Sequence, residues 1–147
     1  MISTPTIVVG YDGSEDSTAA LRWAARLSAA IGGRLRIVHA VGLLEHAGFL
    51  ADHVAVHRET ALSIAVEVGG DPHRIEWSAV DGDPCSALLR MTAPPESADL
   101  LVVGSRGSDA HDGSLLGSTS LELAERSTIP VTIVPPARKD SEVGPPV

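Results

Sequence analysis

At 147 residues the chain is sized for one domain with a buried core of its own, and 44% hydrophobic with 20% charged residues is ordinary globular chemistry. A formal charge of −8 argues against a partner bound through its phosphate backbone, so no nucleic acid is expected. One cysteine, Cys85, excludes an internal disulfide framework, and Lys139, the sole lysine, leaves none in the body of the chain for a catalytic or phosphate-cradling role. The opening segment shows no secretion signal and no apolar run is long enough for a bilayer, so a cytoplasmic protein with no membrane partner is expected.

Thr6 to Val9 is β-branched and apolar without alternation, the pattern of a strand buried on both faces, and it ends at Gly10. Ser14 is a good N-cap for a helix reaching about Ile31, with Glu15 and Asp16 lending negative charge to its first turn and Gly32-Gly33 closing it. Leu21, Ala24, Ala25, Ser28 and Ile31 share one face of that helix. A second strand follows over Leu35 to Val41, then a long helix from Glu45 to Val68 closed by Gly69-Gly70. The alternation from Arg74 to Val80 predicts a strand near a sheet edge. Pro84 suits the first position of a short third helix, which Pro94-Pro95 must stop. Leu100 to Val103 is a fourth strand, Ser118 to Arg126 a fourth helix, and Val131 to Val134 a fifth strand.

Five strands alternating with four helices predict an α/β domain over residues 1–136 with one open parallel sheet, helices on both faces, and a disordered tail over 137–147. Ligands of such sheets sit beyond the C-terminal strand ends, where the strand order reverses. The most polar, glycine-rich exits follow strand 1, Gly10 to Ser14, and strand 4, Gly104 to Gly107, and the order 3-2-1-4-5 would place them side by side. Asp12 would then face the glycine loop as an acceptor for ribose hydroxyls. That Asp12 only shapes the turn into the first helix is an equal alternative.

The common phosphate motifs are missing: no G-x-x-x-x-G-K-[ST], and no G-x-G-x-x-G after strand 1. Instead Gly104, Gly107 and Gly117 form G-x2-G-x9-G, followed by Ser118 and Thr119 at a helix start, where N–H groups and the helix dipole attract an anion. With VVGYDGSEDS at the start, HAV leaving strand 2, the Gly82 to Pro84 turn, ADLLVVGSRG, LLGSTS and IPVTIVPP, this pattern resembles the universal stress protein family over nearly the whole chain.

The resemblance implies the 3-2-1-4-5 sheet and an adenine-nucleotide site. Gly10 and Asp12 would contact the nucleoside, Ala40, Val41 and Val103 would line the adenine, and Gly104, Arg106 and Gly107 would border ribose and phosphates. Gly117, Ser118, Thr119 and Ser120 would present N–H groups and hydroxyls to the phosphates. It further implies a homodimer through the edge strand Val131 to Val134. The loop between the second and third glycines departs from the family's often basic pattern, since Asp109 and Asp112 face only Arg106 and His111. Either Mg²⁺ mediates, or the ligand is less charged than ATP, such as AMP or cyclic AMP, or binding is weak, or the acidic pair faces solvent.

The function expected is an ATP-binding stress or regulatory protein working through conformation or partner binding, with no catalytic residues and no protein metal site assigned. A slow ATPase and a nucleotide-free dimerisation module are the alternatives. His53 and His57, one helical turn apart, lack the context of a metal motif and are expected to be structural or solvent-facing, as is His46. Cys85 lies where a helix dipole could favour its thiolate, though a small packing residue is the simpler reading. Trp23 and Trp77 are expected to be packing residues rather than stacking platforms.

Overall fold

The computed structural model describes residues 3–42, 51–106 and 116–136. Five parallel strands, β1 (Thr6–Gly10), β2 (Arg34–Val41), β3 (Ile75–Asp81), β4 (Leu100–Gly104) and β5 (Val131–Val134), lie in the order β3-β2-β1-β4-β5. The helices are α1 (Glu15–Ile31), α2 (Ala51–Glu67), α3 (Pro84–Thr92) and α4 (Ser118–Arg126), with a 3-10 turn at Pro72–Arg74. This is the α/β architecture and the strand order that the sequence predicts. The start of the predicted second helix, residues 45–50, and the tail 137–147 lie outside the described residues, as do Gly107, Asp109, His111, Asp112 and His46.

The sheet has a helix layer on each face because its central strands are apolar on both. Ile7 and Val9 join Leu21, Ala24, Ala25, Ala61 and Ala65 in one cluster beneath α1 and α2. Val8, Leu101 and Val103 join Leu88 and Leu123 in a second, beneath α3 and α4. Alanines on the sheet-facing side of α1 let the helix lie close to the strands. Leu123 is fully buried and anchors α4, contributing roughly 2–3 kcal/mol by leaving water.

Helix ends follow the local chemistry. Ser14 accepts a bond from the N–H of Ser17 at the start of α1, and Gly32, at φ +65°, closes its end with its own N–H directed at the carbonyls of Ala29 and Ser28. Asp83 caps α3 through the N–H of Ser86, with Pro84 in the first turn as expected. Two packing expectations are corrected. Ile31, the last residue of α1, is 46% exposed, and Trp23 is 39% exposed. Trp77, by contrast, packs against the α1–α2 cluster. No helix among the described residues is long and apolar enough to cross a membrane.

Candidate functional site

The β1 and β4 exits are neighbours, since β1 pairs with β2 on one side and with β4 on the other. At the β1 exit the chain folds back on itself. Oδ1 of Asp12 accepts from the N–H of Ser14 at 2.9 Å, and the N–H of Asp12 donates to Oγ of Ser17 at 3.2 Å. Asp12 therefore shapes the turn into α1, as the alternative reading had it, while standing half-buried at the crevice. Gly13 has φ +84°, and a Cβ there would lie 2.3 Å from Cε1 of His57, so α2 reaches over this turn.

His57 leads into a cluster the sequence did not assemble. Its ring is 5.1 Å from that of His39 and 6.0 Å from that of Tyr11, and His39 stacks on Trp77 at 5.8 Å. His39 is buried, with Nδ1 2.9 Å from the carbonyl oxygen of Tyr11. Burial raises the phenol of Tyr11 above its ordinary range, with a bond to Thr18 opposing the shift. The predicted His53–His57 neighbourhood is real, with ring centroids 4.5 Å apart, yet His53 is exposed and only His57 turns inward. Among the described residues no group of three or more His, Cys, Asp or Glu is arranged to hold a metal ion.

At the β4 exit the bonds run to other elements. Oδ2 of Asp16, in the first turn of α1, accepts from Oγ of Ser105 and from the N–H of Arg106, both at 2.9 Å. It also lies 3.5 Å from Nε of Arg106. From the other side, Oγ of Ser120 donates to the carbonyl of Gly104 at 2.7 Å, and the N–H of Gly117 donates to the carbonyl of Ser105 at 2.6 Å. The exit is thus clamped between the starts of α1 and α4.

Gly104 is needed for that clamp: a Cβ would stand 2.6 Å from the carbonyl carbon and 2.7 Å from the carbonyl oxygen of Asp16. The close backbone approach it permits is to α1. Gly10 likewise faces Leu88 and Val103, at 3.1 Å and 3.5 Å from a Cβ built on it. Val103 is buried in the α3–α4 cluster, and the hydroxyl of Ser120 is buried and committed to the strand.

Gly117 is the N-cap of α4 and gives it no side-chain cap; Ser118 is exposed and Thr119 half-buried. Three N–H groups of a helix's first turn have no partner within the helix, so this end is built to receive an acceptor. Ala40 and Val41, half-buried, extend β2 beyond the end of β1, beside the same crevice. The structure thus gathers Gly10, Asp12, Gly104, Arg106, Gly117, Ser118, Thr119 and Ser120 about two adjacent exits. Asp16 and Ser105 are the residues that sequence reasoning missed. Asp16 read there only as dipole charge, and the one available signal was that a helix after β1 must cross toward β4.

Two other features fall outside this crevice. A cavity of about 160 Å³ lies at the opposite, N-terminal end of the strands, among Ala25, Ser28, Gly32, Gly70 and Arg74, and is far smaller than an ordinary ligand pocket. Cys85, at the start of α3, is buried with Sγ 3.8 Å from Nη1 of Arg126. Burial, reinforced by Glu122, pushes its thiol up to about 11, so the helix dipole does not yield a thiolate there.

Relatives share both the fold and the sequence pattern. A family model described as the universal stress protein family matches residues 4–135. Universal stress protein Rv2028c of Mycobacterium tuberculosis is 31% identical over 141 residues, covering 91% of this chain and 49% of that protein. The chain thus spans about half the length of relatives of that kind. A universal stress protein of Thermus aquaticus is 33% identical over 135 residues, covering 88% of this chain and 97% of that one. Among solved structures, a universal stress protein in complex with cAMP is 34% identical with a TM-score of 0.72, over 88% of this chain and 95% of that one. With the sheet order and a family match over residues 4–135, this chain belongs to the universal stress protein family.

Proposed function

We propose that the chain binds an adenine nucleotide in the crevice beyond β1, β2 and β4 and acts as a regulatory protein in stress responses through the bound state rather than through catalysis. The observation that carries the proposal is the start of α4: a helix N-terminus whose N-cap gives no side-chain cap, tied by Gly117 and Ser120 to the exit of β4, the strand next to β1. A phosphate accepts from such N–H groups with little help from cations. Support also comes from the 34% identical relative whose structure contains cAMP.

In this reading the phosphates meet the N–H groups of Ser118, Thr119 and Ser120, with Gly117 leaving room for them. Arg106 borders the phosphates, Gly10 and Asp12 border the ribose, and Ala40 and Val41 offer apolar contact to the base. Val103 supports the floor from below. The ligand class is adenine nucleotides, with ATP, AMP and cyclic AMP as its members to be compared. Mg²⁺, where ATP binds, would arrive with the triphosphate. A second copy pairing along β5, which lies at the sheet edge, would complete a homodimer.

The test is calorimetric titration of the purified chain with ATP, AMP and cyclic AMP, repeated on Gly117→Asp. Gly117 has φ −76° and ψ 163°, a conformation in which aspartate is a favoured N-cap, so the variant should fold at least as well. Its carboxylate would occupy the N–H groups offered to phosphate. Loss of affinity by tenfold or more, roughly 1.4 kcal/mol, is expected. Unchanged affinity in the folded variant would overturn the site.

A further inference from the structure

Arg106 is the sole cation among the proposed contact residues, and it is already engaged. Its Nε lies 3.5 Å from Oδ2 of Asp16, and its own N–H donates to the same oxygen. The carboxylate side chain is only 10% exposed, against 36% for that of Arg106. A carboxylate held so deeply must be compensated, and Ser105, the Arg106 N–H and the guanidinium supply that compensation. Asp16 cannot drift from the loop, because Gly104 brings the β4 backbone into contact with that of Asp16.

We propose that Asp16 is a positioning residue which fixes the chain after β4 and, by neutralising Arg106, biases the site toward a singly charged phosphodiester over a triphosphate. This rests on the adenine-nucleotide reading above. Asp16 and Arg106 then stand as a closed pair at the β4 exit. A triphosphate gains little from a guanidinium whose charge a buried carboxylate has already balanced. A cyclic phosphodiester asks less of it, and backbone N–H groups at α4 suffice for its single charge. The selectivity arises within the fold, upstream of any contact that Asp16 makes with ligand.

Asp16→Asn keeps an oxygen to accept from Ser105 and Arg106 but removes the charge; Asp16→Ala removes both. Two measurements separate the roles: amide hydrogen exchange of Arg106 without ligand, and affinities for ATP and cyclic AMP at low and moderate salt. Asp16→Ala should lose protection at the Arg106 amide and weaken both nucleotides. Asp16→Asn should keep that protection and shift the ratio of affinities toward ATP by about threefold to fivefold, with ATP binding becoming more salt-dependent. An unshifted ratio in Asp16→Asn overturns the selectivity, since a merely structural role would change both nucleotides alike. Unchanged Arg106 exchange in Asp16→Ala overturns the positioning. A wild-type chain that binds neither nucleotide removes the ligand reading and the selectivity together, while the exchange data still decide the positioning.

Discussion

The exits of β1 and β4 are built to the same plan, a buried strand, a short turn and a helix start, and they satisfy their polar groups in opposite ways. At β1 the bonds are local: Asp12 to Ser14, Ser14 to Ser17, Ser17 back to the carbonyl of Ser14. The start of α1 is therefore closed by its own side chains. At β4 the bonds are long-range, from Asp16 on α1 and from Gly117 and Ser120 on α4, and the helix start itself carries no side-chain cap. One exit spends its donors on shape. The other is held in place by its neighbours, and its N-cap, Gly117, supplies no side-chain cap. Two similar glycine-containing turns can thus differ in role because of where their hydrogen bonds go.

This contrast can be broken at several points. The largest effect is expected from Gly104→Ala, which drives a Cβ into the backbone of Asp16 rather than into a movable side-chain tip. A loss of about 3 kcal/mol in urea unfolding is expected, as for overpacked interiors. Near-wild-type stability would mean that the α1 start yields easily, and that the clamp is not what holds the exit. Gly117→Asp should follow, with its tenfold or greater loss of nucleotide affinity and no loss of stability. Ser14→Ala, at the closed exit, should do the reverse: about 1 kcal/mol of stability lost with the cap, and affinity unchanged. If Ser14→Ala lowers affinity as much as Gly117→Asp, the two exits are not separable in function.

The smallest effect concerns a third helix start. The Cys85 thiol, raised by burial from 9.0 to about 11, keeps its proton in the folded chain over a range where the unfolded chain has lost it. Its contribution to stability is complete below pH 9 and is lost as pH rises through 11. Stability should therefore fall over that window, less steeply in Cys85→Ala, and alkylation of the native thiol at neutral pH should be slow. Rapid alkylation would show that the dipole of α3 prevails over burial, and that a helix start alone suffices to hold an anion here.

Much of this molecule was legible in its residues. Thr6 to Val9 announced a strand buried on both faces, and Ser14, Gly32 and Pro84 marked helix ends where they are found. The glycine spacing pointed to the β4 exit. The same reading did not foresee the long-range bonds that some of those residues make. Gly104 also makes room for the backbone of Asp16, and the hydroxyl of Ser120 is bonded to the carbonyl of Gly104. Trp23 was expected to be a packing residue and is 39% exposed on α1.

The division has a physical cause. Periodicity, caps and breakers act over a few residues, so the chain's elements, their order and its family resemblance were fixed locally and could be read in line. Whether a hydroxyl, a glycine or a carboxylate serves a ligand or the fold depends on what lies opposite, and here the opposite group is far away along the chain. Asp16 meets Ser105 and Arg106, and Gly13 meets His57, only after the strands have ordered themselves as β3-β2-β1-β4-β5. The sequence by itself determined the scaffold and the neighbourhood of the crevice. Only the tertiary structure decided which of the described polar groups were already taken by the fold.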